Sequence, residues 1–272
     1  VLKNFQYFNT NLSYRIEGEG EPVLLIHGFG EDSTIWNHQV EYLKQKYLVI
    51  VPDIPGSGKS TMLEGLSQSI TLGDYAVCLQ ALLLHEKIIQ CFVFGHSMGG
   101  YITLAFVELY PNLVKGFGLI HSSAYADSEE KKQQRQKGIE MMEEYGVGAF
   151  LKNTTPNLFS ASFKEKHWEK VQELIDAGQH FSTKACQQYY TAMMNRPDRH
   201  LALKNSKVPV LLVAGTEDVA APLKDMLEQA KLPSVSYIHV LDGVGHIGMI
   251  ETPEKVNQYI DSFVSQLAEI NV

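Results

Sequence analysis

The chain has 272 residues, 44% hydrophobic and 20% charged, which suits one compact domain with room for an inserted lobe and is too apolar for a disordered chain. Its 23 Lys and Arg against 31 Asp and Glu give a net charge of -8, which repels a nucleic-acid backbone, and no basic patch overrules that field. No apolar run approaches the ~20 residues that cross a bilayer, and the charged segment around Lys3 lacks the apolar stretch of a signal peptide, so no membrane insertion is expected.

In chain order, residues 5–8 and 12–16, separated by Asn9, Thr10 and Asn11, read as an antiparallel hairpin at a sheet edge. Short apolar runs follow at 23–26, 48–51, 91–94, 117–120 and 208–213. Each is near-continuous rather than alternating, the pattern of strands buried on both faces and hence mostly parallel, with helices covering them. Ile102, Ala105, Phe106 and Leu109 recur at the i, i+3, i+4, i+7 spacing of one helix face. This alternation of strand and helix predicts an α/β fold with a doubly wound sheet. The rhythm breaks after Ile120, where the chain turns helix-like and charge-rich from about Asp127 to Asn205. The expected organisation is a core of 1–124 and 206–272 with a helical cap inserted at 125–205. Inside that insertion the mixed-sign run from Glu129 to Lys137 reads as a solvated helix face. The rhythm returns with a helix near 223–230, a strand near 235–241 and a closing helix from Pro253 to about Leu267.

Gly95-His96-Ser97-Met98-Gly99 lies between the apolar run 91–94 and the helix that begins near Gly100. A direct swing from strand to helix strains the serine backbone, admits only glycine where the neighbouring chain passes close, and presents the hydroxyl. A serine hydroxyl is a poor nucleophile at neutral pH, so it needs a base within reach and a third group that fixes the base's tautomer. His246, flanked by Gly243, Gly245 and Gly248 in the loop after the last strand, is the candidate base. Asp218, in Gly215-Thr216-Glu217-Asp218, is the candidate acid, with Glu217 and Asp242 as alternatives. Both loops sit at strand carboxyl ends, where an open parallel sheet gathers its site. Acyl transfer also builds negative charge on a carbonyl oxygen, and backbone N–H groups must meet it. Met98, just after the serine, and Phe29, in His27-Gly28-Phe29-Gly30, are the expected donors, with His27 architectural.

With these stations in place the sequence resembles the α/β-hydrolase superfamily over nearly its whole length. Trp36, the stretch Asp53-Ile54-Pro55-Gly56-Ser57-Gly58-Lys59-Ser60 and Pro222 match as well. The resemblance implies an eight-stranded, mostly parallel sheet and a helical lid where the cap is predicted, and its Ser, Asp, His order favours Asp218, leaving Asp242 to cap its own turn. Gly58-Lys59-Ser60 imitates the end of a phosphate-binding loop, but Asp53 stands where that motif needs glycine. Related dehalogenases and epoxide hydrolases carry aspartate at the elbow, so Ser97 points instead to carboxylesterases, enol-lactone hydrolases, C–C bond hydrolases and cofactor-free perhydrolases. The expected reaction is hydrolysis of a carboxylic ester or lactone of a small, largely apolar molecule through an acyl-enzyme, with no cofactor and no metal. A hydrolase-like ligand sensor with slow turnover is the alternative on the same fold. Candidate substrate contacts are His121, at a strand end on the rim, and Tyr145, Trp168 and Met194 from the cap. Cys78, Cys91 and Cys186 have neither metal-ligand nor redox-motif spacing, so a reducing, cytoplasmic setting is expected, with a monomer or homodimer as the working form.

Overall fold

The computed structural model describes residues 1–64 and 69–270. β1 (Leu2–Tyr7) and β2 (Thr10–Glu17) form the hairpin, with Tyr7 opposite Thr10. The connection is two residues, Phe8 and Asn9, rather than the expected three; so short a hairpin turn needs a left-handed residue, and Phe8 takes that role at φ 48°. β3 (Glu21–Ile26), α1 (Asn37–Leu43), β4 (Tyr47–Pro52), α2 (Leu72–His85), β5 (Cys91–His96), α3 (Met98–Leu109) and β6 (Val114–Ile120) follow. Next come α4 (Glu129–Thr154), α5 (Ala161–Lys166), α6 (Trp168–Gly178), α7 (Thr183–Met194) and α8 (His200–Lys204). The chain closes with β7 (Val210–Gly215), α9 (Leu223–Gln229), β8 (Ser236–Leu241), α10 (Gly248–Glu251) and α11 (Pro253–Ile270).

The eight strands form one sheet in the order β1-β2-β4-β3-β5-β6-β7-β8. β1, β2 and β4 pair antiparallel, and every pairing from β4 through β8 is parallel. Alternation along the strands explains the unbroken apolar runs. Leu24, Ile26 and Val93 join the core beneath α2 and α3, while Val23, Leu25, Phe92 and Phe94 join the core beneath α1 and α11. Both faces are covered, so neither parity of the strand is free to be polar. β7 starts two residues later than expected, because Pro209 has no N–H to donate, and runs on through Ala214 and Gly215, opposite Val240 and Leu241. Its carboxyl end therefore lies close to Asp218.

α4 begins at a serine cap, where Ser128 accepts the Lys131 N–H, and is interrupted at Gly146, whose φ 81° and ψ 158° lie outside the helical region. It packs against α6 and α7. Cys78 in α2, Cys91 in β5 and Cys186 in α7 are free and buried, and burial pushes each thiol up to about 12. Among the described residues no helix is long and apolar enough to cross a membrane.

Candidate active site

Ser97 joins β5 to α3 with φ 52° and ψ -116°, a left-handed backbone that a side-chain-bearing residue adopts at a cost of roughly 1–3 kcal/mol. The crowding is real on both sides. A Cβ on Gly95 would overlap the Gly99 carbonyl, and a Cβ on Gly99 would overlap the carbonyls of Ile26 and His27. The Ser97 N–H is held by the Ile120 carbonyl at 3.1 Å, and its own carbonyl accepts the Ser122 hydroxyl at 2.7 Å. The strained turn is thus fixed from both sides, by the end of β6 and the residues after it and by its own helix, whose Gly100 N–H meets the Ser97 carbonyl at 2.9 Å.

His246 lies in the loop after β8, and its Nδ1–H is 2.9 Å from each Asp218 oxygen. Both acceptors belong to a carboxylate, so Nδ1 carries the proton and Nε2 remains for other chemistry. Asp218 also accepts the N–H groups of Ala220 and Ala221, at 2.9 and 2.8 Å, and a bond from His121 Nδ1 at 3.1 Å. Burial pushes the Asp218 carboxyl up, but the His246 charge and the bonds from His121 and His246 outweigh it and hold the carboxyl far below its ordinary value. For His246 the balance is the mirror image: burial lowers its pKa, and the Asp218 charge and hydrogen bond overcome that and raise it. Glu217 is instead bonded to the Ala161 N–H, and Asp242 is exposed and meets Thr216. Of the three candidate carboxylates, only Asp218 touches His246.

A second buried pair backs this arrangement and was not read from the sequence. His96 faces Glu31 with Nδ1 at 3.0 Å and the His246 carbonyl with Nε2 at 3.0 Å, tying the loop after β3 to the histidine loop. Glu31 also accepts the Gly28 N–H at 2.7 Å. Burial would raise the Glu31 carboxyl; the electrostatic attraction of His96, with the His96 and Gly28 bonds, brings it below its ordinary value. Its place directly after His27-Gly28-Phe29-Gly30 is the only signal that could have found it. With the Gly28 N–H engaged, Phe29 is the next N–H along that loop. Met98 is the first residue of α3, so its N–H has no acceptor inside the helix.

Ser97 and His246 line one cavity of about 380 Å³, within the roughly 300–1,000 Å³ range of small-molecule sites. Phe29, Tyr101, Phe150, Tyr190 and Met193 supply apolar wall, and Lys131, Arg135 and Glu31 are also on it. Several expected contacts lie elsewhere. His121 is 0% exposed and bonds to Asp218 from behind, not to the cavity. Burial lowers its pKa more than Asp218 raises it, which favours the neutral ring, and Nε2 is buried with no hydrogen-bond partner among the described residues. Tyr145 at 61% and Trp168 at 49% exposure face outward and line no part of the cavity. Met193 takes the place expected of Met194, because one step along α7 turns a side chain by about 100°. The run from Glu129 to Lys137 is only partly a solvated face: Gln136 and Lys137 are exposed, whereas Lys131 and Arg135 turn to the cavity.

His121, Asp218 and His246 form the one metal-capable cluster among the described residues. Their N···O separations of 2.9 and 3.1 Å are those of direct hydrogen bonds, with protons between the atoms.

A family model described as the alpha/beta hydrolase fold matches residues 21–253. The chain is 26% identical over 270 residues to the (E)-2-((N-methylformamido)methylene)succinate hydrolase of Acinetobacter baylyi, covering 97% of this chain and 98% of that protein. It is also 26% identical over 263 residues to 3-oxoadipate enol-lactonase 1 of the same organism, covering 94% of each. Among solved structures, a thermophilic esterase from Thermogutta terrifontis, malate bound, superposes with a TM-score of 0.92 at 28% identity, covering 98% of this chain and 99% of that one. With its sheet order, strained serine elbow and family match all in register, the chain belongs to the alpha/beta hydrolase fold family.

Proposed function

We propose that the protein is a serine hydrolase that cleaves a carboxylic ester or lactone through an acyl-enzyme, with Ser97 as nucleophile, His246 as base and Asp218 as the acid that orients it. The observation that carries this reading is the Asp218–His246 pair, which engages Nδ1 and leaves Nε2 beside a cavity whose wall includes Ser97. Nε2 takes the hydroxyl proton as Ser97 Oγ adds to the carbonyl, and Asp218 stabilises the imidazolium. The N–H groups of Phe29 and Met98 receive the oxyanion, a contribution typically worth about 10²- to 10³-fold in rate for each donor. Collapse breaks the C–O bond and Nε2 returns the proton to the leaving alcohol. Water, deprotonated by the same nitrogen, then adds to the acyl carbon and releases the acid and Ser97. In this reading residues 125–205 serve as the cap that covers the site. The relatives named as an esterase and an enol-lactonase support ester and lactone chemistry.

A fluorophosphonate probe, mapped by mass spectrometry, is expected to label Ser97. The protein should also turn over nitrophenyl esters repeatedly, and Ser97→Ala should lose both properties. Labelling at another residue, or a single turnover without release, would remove the reading.

A further inference from the structure

Lys131 and Arg135 stand one helical turn apart near the start of α4, and both line the cavity that holds Ser97 and His246. The ion pairs around them leave positive charge over. Asp127 accepts Arg135 Nε on one oxygen and Arg196 on the other, the latter at 2.8 Å. Arg196 is almost wholly buried and lies 3.8 Å over the Tyr101 ring, so two guanidinium cations share the one carboxylate of Asp127. One positive charge is therefore left over, and of the two arginines Arg135 is the one on the cavity wall. Among the described residues its guanidinium has no hydrogen-bond partner besides Asp127, so the donors on its two terminal nitrogens are unengaged. Lys131 Nζ makes a single bond among the described residues, to the Ala220 carbonyl at 3.3 Å, and keeps two donors. Among the described residues the only acid on the cavity wall is Glu31, already engaged by His96 and the Gly28 N–H.

Two partly desolvated cations with less than their full counter-charge are costly to hold against an apolar wall unless something arrives to pair with them. A guanidinium fork matches the two coplanar oxygens of a carboxylate, and a neighbouring ammonium adds a point charge. Arg135 lies 5.1 Å over the Tyr190 ring, which limits the orientations of the fork. Resting on the serine-hydrolase reading, we infer that the substrate is an anion: a small ester or lactone whose own carboxylate is held by Arg135 and Lys131 while its scissile carbonyl lies at Ser97. The apolar residues Phe29, Phe150 and Met193 then take the carbon skeleton between the two ends. This narrows the expectation of a largely apolar substrate to one with an apolar middle and a charged end.

The test compares mono-4-nitrophenyl glutarate with 4-nitrophenyl valerate, which differ chiefly in a terminal carboxylate. The wild-type protein should favour the glutarate in kcat/KM. In Arg135→Met and in Lys131→Met the ratio of the two kcat/KM values should fall about 10- to 100-fold, the size of a lost hydrogen bond to a charged group. Taking the ratio within one preparation cancels any loss of folded protein. Lys137→Met, on the exposed side of the same helix, should leave both rates unchanged. A purely structural role for Arg135 would lower both substrates together and leave the ratio alone, and that result, or a wild-type preference for valerate, overturns the inference. Turnover of neither ester counts against the hydrolase reading instead. The anion site is then judged by calorimetric titration with glutarate: saturable binding lost in Arg135→Met sustains it, and no binding by the wild-type protein overturns it.

Discussion

Asp218 receives the imidazole N–H of two histidines and two backbone N–H groups, which is why it stays ionised at a buried position. Asparagine would keep the volume but turn an NH₂ group or a weaker acceptor toward His246 Nδ1, favouring the wrong tautomer. Asp218→Asn is therefore expected to lower kcat by up to ~10⁴, read from ester turnover, while Asp242→Asn, which loses only a long contact with Thr216, should change it little. The reverse ranking would transfer the acid to Asp242. At this scale the sequence was most legible where a residue type is forced by backbone geometry, as at Ser97 between its glycines. It was least legible at His121. A histidine at a strand end looks the same whether its ring faces a cavity or turns back to a carboxylate, and only the left-handed φ of 50° at this residue accompanies the second outcome.

Strands were legible as elements because burial on both faces leaves no polar parity, and their ends moved by only a residue or two where Pro209 and the short Phe8 turn intervened. Helix α4 shows what periodicity does not disclose. Lys131 and Arg135 recur at the spacing of one face, and that spacing carries no information on whether the face meets water or a cavity. The break at Gly146 makes a sharp comparison within this one helix. A Cβ there would touch nothing within 4 Å, so the penalty of Gly146→Ala comes from its φ of 81° alone, in a region nearly confined to glycine, and should be about 1–3 kcal/mol. Two residues on, Gly148 has ordinary helical geometry and open contacts from 3.5 Å, so Gly148→Ala should stabilise by roughly 0.5–1 kcal/mol. Urea unfolding of the two variants should give shifts of opposite sign.

For the molecule as a whole, the buried charges predict how stability follows pH. Glu31, Asp127 and Asp218 are each held below their ordinary values of 4.5, 3.8 and 3.8, burial being outweighed by paired cations and donors. The unfolded chain binds protons that these folded carboxylates refuse, so their contribution is complete above those ordinary values and is lost as pH falls through the lower folded ones. His246 runs the other way: with a pKa raised above 6.5, its contribution is complete below 6.5 and is lost as pH rises through the folded value. Scanning calorimetry should find the highest Tm between roughly pH 5 and 6.5, with the steeper fall on the acid side, where three groups act together. A Tm unchanged between pH 6 and pH 3 would contradict this account of the buried pairs. The same interior that holds these charges also encloses every sulfhydryl of the chain, and at neutral pH none is appreciably a thiolate. A maleimide dye would therefore find its one fast target at an introduced surface position such as Tyr145→Cys, beside the Gly146 bend, and could follow that bend by fluorescence without prior removal of the native cysteines.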